Sequence, residues 1–315
     1  MSIFCQEQDD NYINYYRTCN EALKCKVKKD YAYAIELYQK AFDEKFPFPD
    51  DIKHLINCYL LQGDTINALQ TFQLLIKSGY KLDYNLPFLI ENGKRVCSNH
   101  SLILSGNLKL DSLLLEEYDS LRNQFLINNN KEVNEYMKAI AELEFIAGKL
   151  RSYASSKNEW KILGNRGYRM KTYYLMNLLK SNLDLSRKHT DFWNDKYFII
   201  ALIHTAQDLC DDIQDSLLND FLDLLEKHML KGNLHAQQYV IILDNVYHIK
   251  HKFKKSLYGT SMQLSGKKKY IIKIEDIKNV DSRRYNLFVP PLWVQYHDKE
   301  YQFPKDYMKP NTTKP

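Results

Sequence analysis

Two stretches of this chain carry side chains whose types and spacing allow chemistry. In the first, His204 and Asp208 stand four residues apart in a helical pattern, so a carboxylate can orient an imidazole for acid–base work. A buried histidine satisfied by its neighbour accounts for the same pair. In the second, Asp244 precedes the run Tyr258-Gly259-Thr260-Ser261-Met262-Gln263, and Arg283-Arg284 follows it. Thr260, Ser261 and Gln263 offer neutral donors and acceptors, Gly259 lets backbone pass close to a ligand, and adjacent guanidinium groups clamp anions. The candidate binding set is therefore Tyr258, Gly259, Thr260, Gln263, Arg283 and Arg284. The competing account is a hairpin that caps a helical bundle, its arginines paired with carboxylates. Candidate catalytic groups are His204, Asp208 and Asp244, with no reaction assigned to them.

Other chemistries find less support. Asp244, His248 and His251 fall on one helical face, a spacing at which metal ligands can converge. No further ligand pattern completes that set, and Lys250, Lys252, Lys254 and Lys255 crowd it with positive charge, so no metal and no cofactor are expected. The six cysteines form no CxxC pair, and neither GxSxG, HExxH nor a glycine-rich phosphate loop occurs. A net charge of +5, from 44 basic and 39 acidic residues, is too mild and too scattered for a nucleic-acid binder. The amino terminus lacks a basic region followed by an apolar core, and no apolar run reaches the ~20 residues of a membrane span. A cytoplasmic, reduced protein with no membrane partner and no specific nucleic-acid partner is expected.

Long packed helices must position these groups. The 315 residues include 24 Tyr and 14 Phe but only 10 Gly and 8 Pro, a composition of large side chains and few helix breakers. Ala34, Tyr38 and Ala41 recur as Ala68, Phe72 and Leu75, each displaced by 34 residues. The small residue lets two antiparallel helices approach and the aromatic fills the space beside it. This period and pattern resemble the tetratricopeptide repeat, which implies a helical stack that binds a protein or peptide partner. Gly63 falls at the turn of the second unit, whereas the first has Lys29, a departure from the pattern. Pro47 and Pro49 separate the units, and a third helix pair is expected from Asp83 to about Ser105. Helical hairpins without a peptide groove are the plainer alternative.

Further along, Leu114, Leu115, Tyr118, Leu121 and Phe125 form one helical stripe, and Val133, Met137, Ile140, Leu143 and Ile146 form another. Residues 198–203 are apolar nearly all round, so that helix must be central. After Leu257 the period becomes two, with Ser265-Gly266 as a hairpin turn. The expected fold is mostly α: tetratricopeptide-like repeats with capping helices over residues 1–110 and connecting helices over 111–156. A helical bundle with a small C-terminal β-hairpin then spans 157–300, and 301–315 is a tail.

The block Leu243-Asp244, Tyr258-Gly259-Thr260 with Gln263, and Val280-Asp281 with Arg283-Arg284 resembles a bacterial domain family of unknown function. Asp-Gln…Arg, Gln-His and Tyr-Gly-Thr-Gln motifs mark that family, and the resemblance covers about residues 140–296. Its Gln-His motif falls at Ile203-His204, and its Asp-Gln-x-Tyr-Arg motif at Asn165-Arg166-Gly167-Tyr168-Arg169. Ser261 and Met262 displace the last glutamine to Gln263. If the motifs mark an active site, these losses imply a weakened or repurposed one. The reading that results is an interaction or adaptor protein with a C-terminal polar-ligand or docking domain. The alternative is a hydrolase-like enzyme with a site around His204, Asp244 and Arg283.

Overall fold

The computed structural model describes residues 12–79, 89–91, 94–96, 120–126, 130–153, 157–181, 183–187, 196–211, 215–265, 268–297 and 301–308. The fold is mostly α, with β structure among these residues confined to two small sheets. Two compact units are formed: Asn14–Lys131 with Leu185–Asn194, and Met1–Ile13 with Glu132–Asp184 and Asp195–Pro315.

In the first unit, α1 (Ile13–Val27), α2 (Tyr31–Glu44), α3 (Pro49–Leu61) and α4 (Thr65–Lys77) make two helical hairpins. Ala34, Tyr38, Ala41, Ala68, Phe72 and Leu75 are all buried. The backbones of α3 and α4 pack closely, whereas α1 and α2 meet through large side chains such as Tyr15 and Phe42. The 34-residue displacement extends to the turns. Lys29 N donates to Lys26 O and Asp30 N to Cys25 O, and the same bonds recur as Gly63 N to Leu60 O and Asp64 N to Tyr59 O. Asp30 caps α2 by accepting from Tyr33 N at 3.3 Å, and Asp64 caps α4 by accepting from Asn67 N at 3.1 Å. Lys29 takes φ +67° where Gly63 takes +78°, so the residue that departs from the pattern still makes the same turn. A left-handed non-glycine residue costs roughly 1–2 kcal/mol, which the cap and the buried side chains offset.

Aromatic and polar contacts fix the linker between the hairpins. Pro49 opens α3 at a position where its missing N–H costs nothing. Tyr15 donates its hydroxyl to buried Asp51 at 2.7 Å and accepts from Phe48 N at 2.9 Å. Arg187 donates to Pro47 O and Phe46 O and lies 3.4 Å from the Phe48 ring centroid. The third helix pair expected after Asp83 is not what the described part shows. Leu89–Glu91 and Lys94–Val96 form β1 and β2, an antiparallel ribbon, and the rest of that span lies outside the described residues. The sequence between the strands is Asn92-Gly93, the dipeptide most favoured in hairpin turns, and this signal outweighs helical periodicity. Residues 120–126 are helical (α5), and Arg122 donates to Gly79 O at 2.8 Å. The stripe positions Leu114, Leu115 and Tyr118 lie outside the described residues.

The second unit contains α6 (Lys131–Tyr153), α7 (Lys157–Lys180), α8 (Lys196–Asp211), α9 (Asp215–Leu230) and α10 (Ala236–Lys250). Central α8 packs against α7, α9 and α10, and buries Phe198, Ala201, Leu202, Ala206 and Leu209. After α10, β3 (Met262–Ser265) pairs antiparallel with β4 (Lys268–Ile271), matching Met262 to Ile271 and Gln263 to Tyr270. Strand β5 (Tyr301–Gln302) adds in parallel to β4. A 3-10 turn (Ile277–Asn279), α11 (Val280–Asn286) and α12 (Leu292–Gln295) complete the unit. Ile271, Ile274, Val280, Leu292 and Tyr296 form their shared core.

Candidate functional site

Asp244 lies fully buried on α10 and accepts five bonds from the segment that follows it. Its donors are Ser256 Oγ at 2.6 Å, Leu257 N at 2.5 Å, Tyr258 N at 3.1 Å, Thr260 N at 2.8 Å and Thr260 Oγ1 at 2.7 Å. Ser256 Oγ in turn accepts from Gly259 N at 2.8 Å. Gly259 takes φ +75°, and a Cβ there would meet Leu292 Cδ1 at 2.7 Å and Ile274 Cδ1 at 2.9 Å. Glycine is required both by the turn and by the packing beneath it.

The two arginines complete this turn from α11. Arg283 donates to Leu257 O, Glu275 O and Asp276 O. Arg284 is fully buried and donates to Tyr258 O, Pro290 O and the Gln295 side chain. Asp281 accepts from Leu292 N at 2.7 Å and from Tyr307 Oη at 2.8 Å. The structure thus brings together Asp244, Tyr258, Gly259, Thr260, Arg283 and Arg284, with the polar groups turned toward the backbone. Gln263 sits apart, exposed on β3.

A different arrangement surrounds His204. Its Nδ1 meets Glu144 Oε1 of α6. A carboxylate only accepts, so Nδ1 carries the proton and Nε2 is the free nitrogen. Glu144 Oε2 accepts from Lys171 Nζ of α7 at 2.7 Å, and Lys171 reaches Asp208 Oδ2 at 3.4 Å. Three helices therefore supply one connected group of four titratable side chains. The Lys171 side chain is 0% exposed and that of His204 41%, so the ion pair lies behind a histidine that faces solvent.

The electrostatics follow from that layering. Burial pushes the Glu144 carboxyl up, but its bonds to His204 and Lys171 reverse the effect and leave it below the usual carboxylate range. Burial raises Asp208 to about 6, with Lys171 opposing the rise and Glu144 adding to it. The arrangement can hold an imidazole in one tautomer, with Nδ1 on Glu144 and Nε2 left as the nitrogen for acid–base work.

His204 and Asp208 are adjacent in sequence pattern, whereas Glu144 and Lys171 are not legible as their partners. One signal was available for Glu144: position 144 extends the stripe Val133, Met137 and Ile140, all of which are buried. Leu143 and Ile146, which the sequence favours for that stripe, are half-buried and exposed respectively. A charged residue in a buried stripe demands a partner. Of the metal-spaced set, Asp244 is engaged as described, and His248 Nδ1 faces Lys255 O at 2.9 Å. Among the described residues no three His, Cys, Asp or Glu side chains converge as a metal site, and no helix is long and apolar enough to cross a membrane. Comparison with known protein families, with curated proteins and with solved structures finds no match for this chain.

Proposed function

We propose that this chain is a helical-repeat interaction protein whose tetratricopeptide-like hairpins, over about residues 15–80, hold a segment of a protein partner. One observation carries the reading: the second helix pair reproduces the first in turn conformation, cap and buried residue positions at a displacement of 34 residues. Stacked hairpins of this kind leave a continuous face, which is how helical repeats bind extended partners. The described cysteines Cys19, Cys25 and Cys58 are free thiols, which suits work in a reducing cytoplasm. The test is capture of partners by the full chain from its native host, followed by cross-linking and mapping of the joined residues. Cross-links concentrated on Lys24, Lys28 and Lys53 are expected. Cross-links confined to residues beyond 130 would overturn the reading.

A second reading rests on the carboxylate-held histidine. It is a hydrolase-like site in which His204 Nε2 is the base and Glu144, rather than Asp244, orients the ring. Arg283, once a candidate anion clamp, is turned to backbone carbonyls and takes no part. Turnover of activated ester and phosphoester substrates by the full chain tests it. Activity lost in His204→Gln, with an altered pH profile in Glu144→Gln, supports the site. Turnover equal in wild type and His204→Gln removes it.

A further inference from the structure

The loop after α10 places an aromatic side chain where folding gains little from it. Lys252 and Phe253 take φ of +53° and +61°, two consecutive left-handed residues without glycine. Such backbone conformations are strained for residues other than glycine and persist only where the surroundings hold them. Here Phe253 N donates to His248 O at 2.7 Å, and His248 Nδ1 faces Lys255 O at 2.9 Å across the base of the loop. The Phe253 ring touches His248 only by its edge, with centroids 5.2 Å apart, and the residue remains 65% exposed. Burial therefore does not offset the backbone strain.

The loop that carries this ring is rich in cations. Lys252 and Lys254 flank Phe253, both exposed, and neither makes an ion pair among the described residues. Lys255, His251 and Lys273 gather around the single carboxylate of Glu275, which only Lys255 binds directly, at 2.5 Å. The patch has more positive charge than its own acids neutralise. Extended anionic surfaces fit it poorly, because Asp215, bonded to Lys250 at 3.0 Å, opens the neighbouring α9. A bilayer or a nucleic-acid duplex spread over this end of the bundle would meet that carboxylate as well. A short segment would not.

We propose that the 250–255 loop is a docking point for a short acidic protein segment that carries one apolar side chain. The apolar side chain packs on Phe253, and the carboxylates pair with Lys252, Lys254 and Lys273. This surface lies outside the repeats and stands whether or not they bind a partner.

The experiment titrates the full chain with a labelled twelve-residue peptide of Asp and Glu around a central Leu, at physiological salt. Two comparison peptides replace the acids by Asn and Gln, or the Leu by Ser. Binding by the acidic Leu peptide is expected, weakened at least tenfold by Phe253→Ser and by the paired change Lys252→Glu with Lys254→Glu. Both changes lie in exposed positions, and an unchanged far-UV spectrum and melt confirm that each variant is folded. Absence of binding, or binding indifferent to Phe253→Ser, would overturn the proposal. So would phosphatidylserine vesicles that bind in place of the peptide with the same dependence on Phe253 and the lysines.

Discussion

Asp244 and Glu144 are both buried carboxylates on helices of the same unit, yet they are satisfied in different ways. Asp244 accepts three backbone N–H groups and two hydroxyls from a turn within 16 residues of itself. Glu144 accepts from the side chains of Lys171 and His204, 27 and 60 residues away on two other helices. Backbone donors do not titrate and cannot be exchanged by mutation, so Asp244 holds a turn in one conformation. The partners of Glu144 are themselves titratable side chains, and Asp208 of the same group has its carboxyl raised to about 6 by burial, so the charge of this group depends on pH. Density of polar residues in the sequence is similar at the two places. The nature of their partners separates architecture from a responsive site.

The largest effect is expected at Asp244. Asp244→Ala leaves three backbone donors and two hydroxyls without an acceptor in a buried turn, and should cost about 3–5 kcal/mol in urea unfolding. A loss below about 1 kcal/mol would mean that water replaces the carboxylate, and the turn would not be architectural. Arg283→Ala comes next. It frees the carbonyls of Leu257, Glu275 and Asp276, and should cost about 1–3 kcal/mol without altering binding of sulfate or phosphate. Anion affinity lost with stability intact would make the turn a binding site instead.

Asp208 gives a smaller effect of opposite sign. The folded chain holds its proton to about pH 6, whereas the ordinary carboxyl value is 3.8. Between about pH 4 and 6 the folded state therefore binds more protons than the unfolded one, and this group's contribution to stability falls as pH rises through that window. Asp208→Asn should raise stability at pH 7 by about 1–2 kcal/mol and flatten the pH dependence there. Glu144 acts in the other direction, because its lowered value adds stability above the usual carboxylate range and loses it on acidification. A destabilised Asp208→Asn protein at pH 7 would show that the Lys171 contact outweighs burial. The smallest change is expected for His204→Gln, within about 0.5 kcal/mol by thermal melt, since the ring is half-buried and the glutamine amide can still donate to Glu144. A loss above about 2 kcal/mol would place the histidine among the structural groups.

The helical architecture was legible because apolar periodicity and the 34-residue recurrence act locally. Ala34, Tyr38, Ala68 and Phe72 announce buried helix positions by type alone. The C-terminal hairpin was legible from the change of period after Leu257, although Ser265, expected in its turn, pairs with Lys268 as the last residue of β3. Asn92-Gly93 carried an equally local signal, and expecting a third helix pair there passed over it. At the candidate sites the sequence identified residues but not their partners. His204 and Asp208 share a helix face, so their proximity follows from spacing. Glu144 and Lys171 come from separate helices, and only the packing of α6, α7 and α8 brings them to His204. Asp244 and Thr260 likewise look available for a ligand until the turn at Gly259 shows the donors directed inward.

Replacement of whole polar groups by apolar ones, read by equilibrium urea unfolding of the full chain, tests this division most directly. Glu144→Leu combined with Lys171→Met and Asp208→Leu removes the three most buried members of the group, and such replacements of buried ion pairs or triads are often neutral or stabilising. Asp244→Leu combined with Ser256→Ala and Thr260→Val removes the hydroxyls but leaves the N–H groups of Leu257, Tyr258, Gly259 and Thr260 unpaired. The account predicts that the first variant stays within about 1 kcal/mol of the parent, while the second loses at least about 3 kcal/mol. Equal losses in the two variants, or recovery of both, would contradict it.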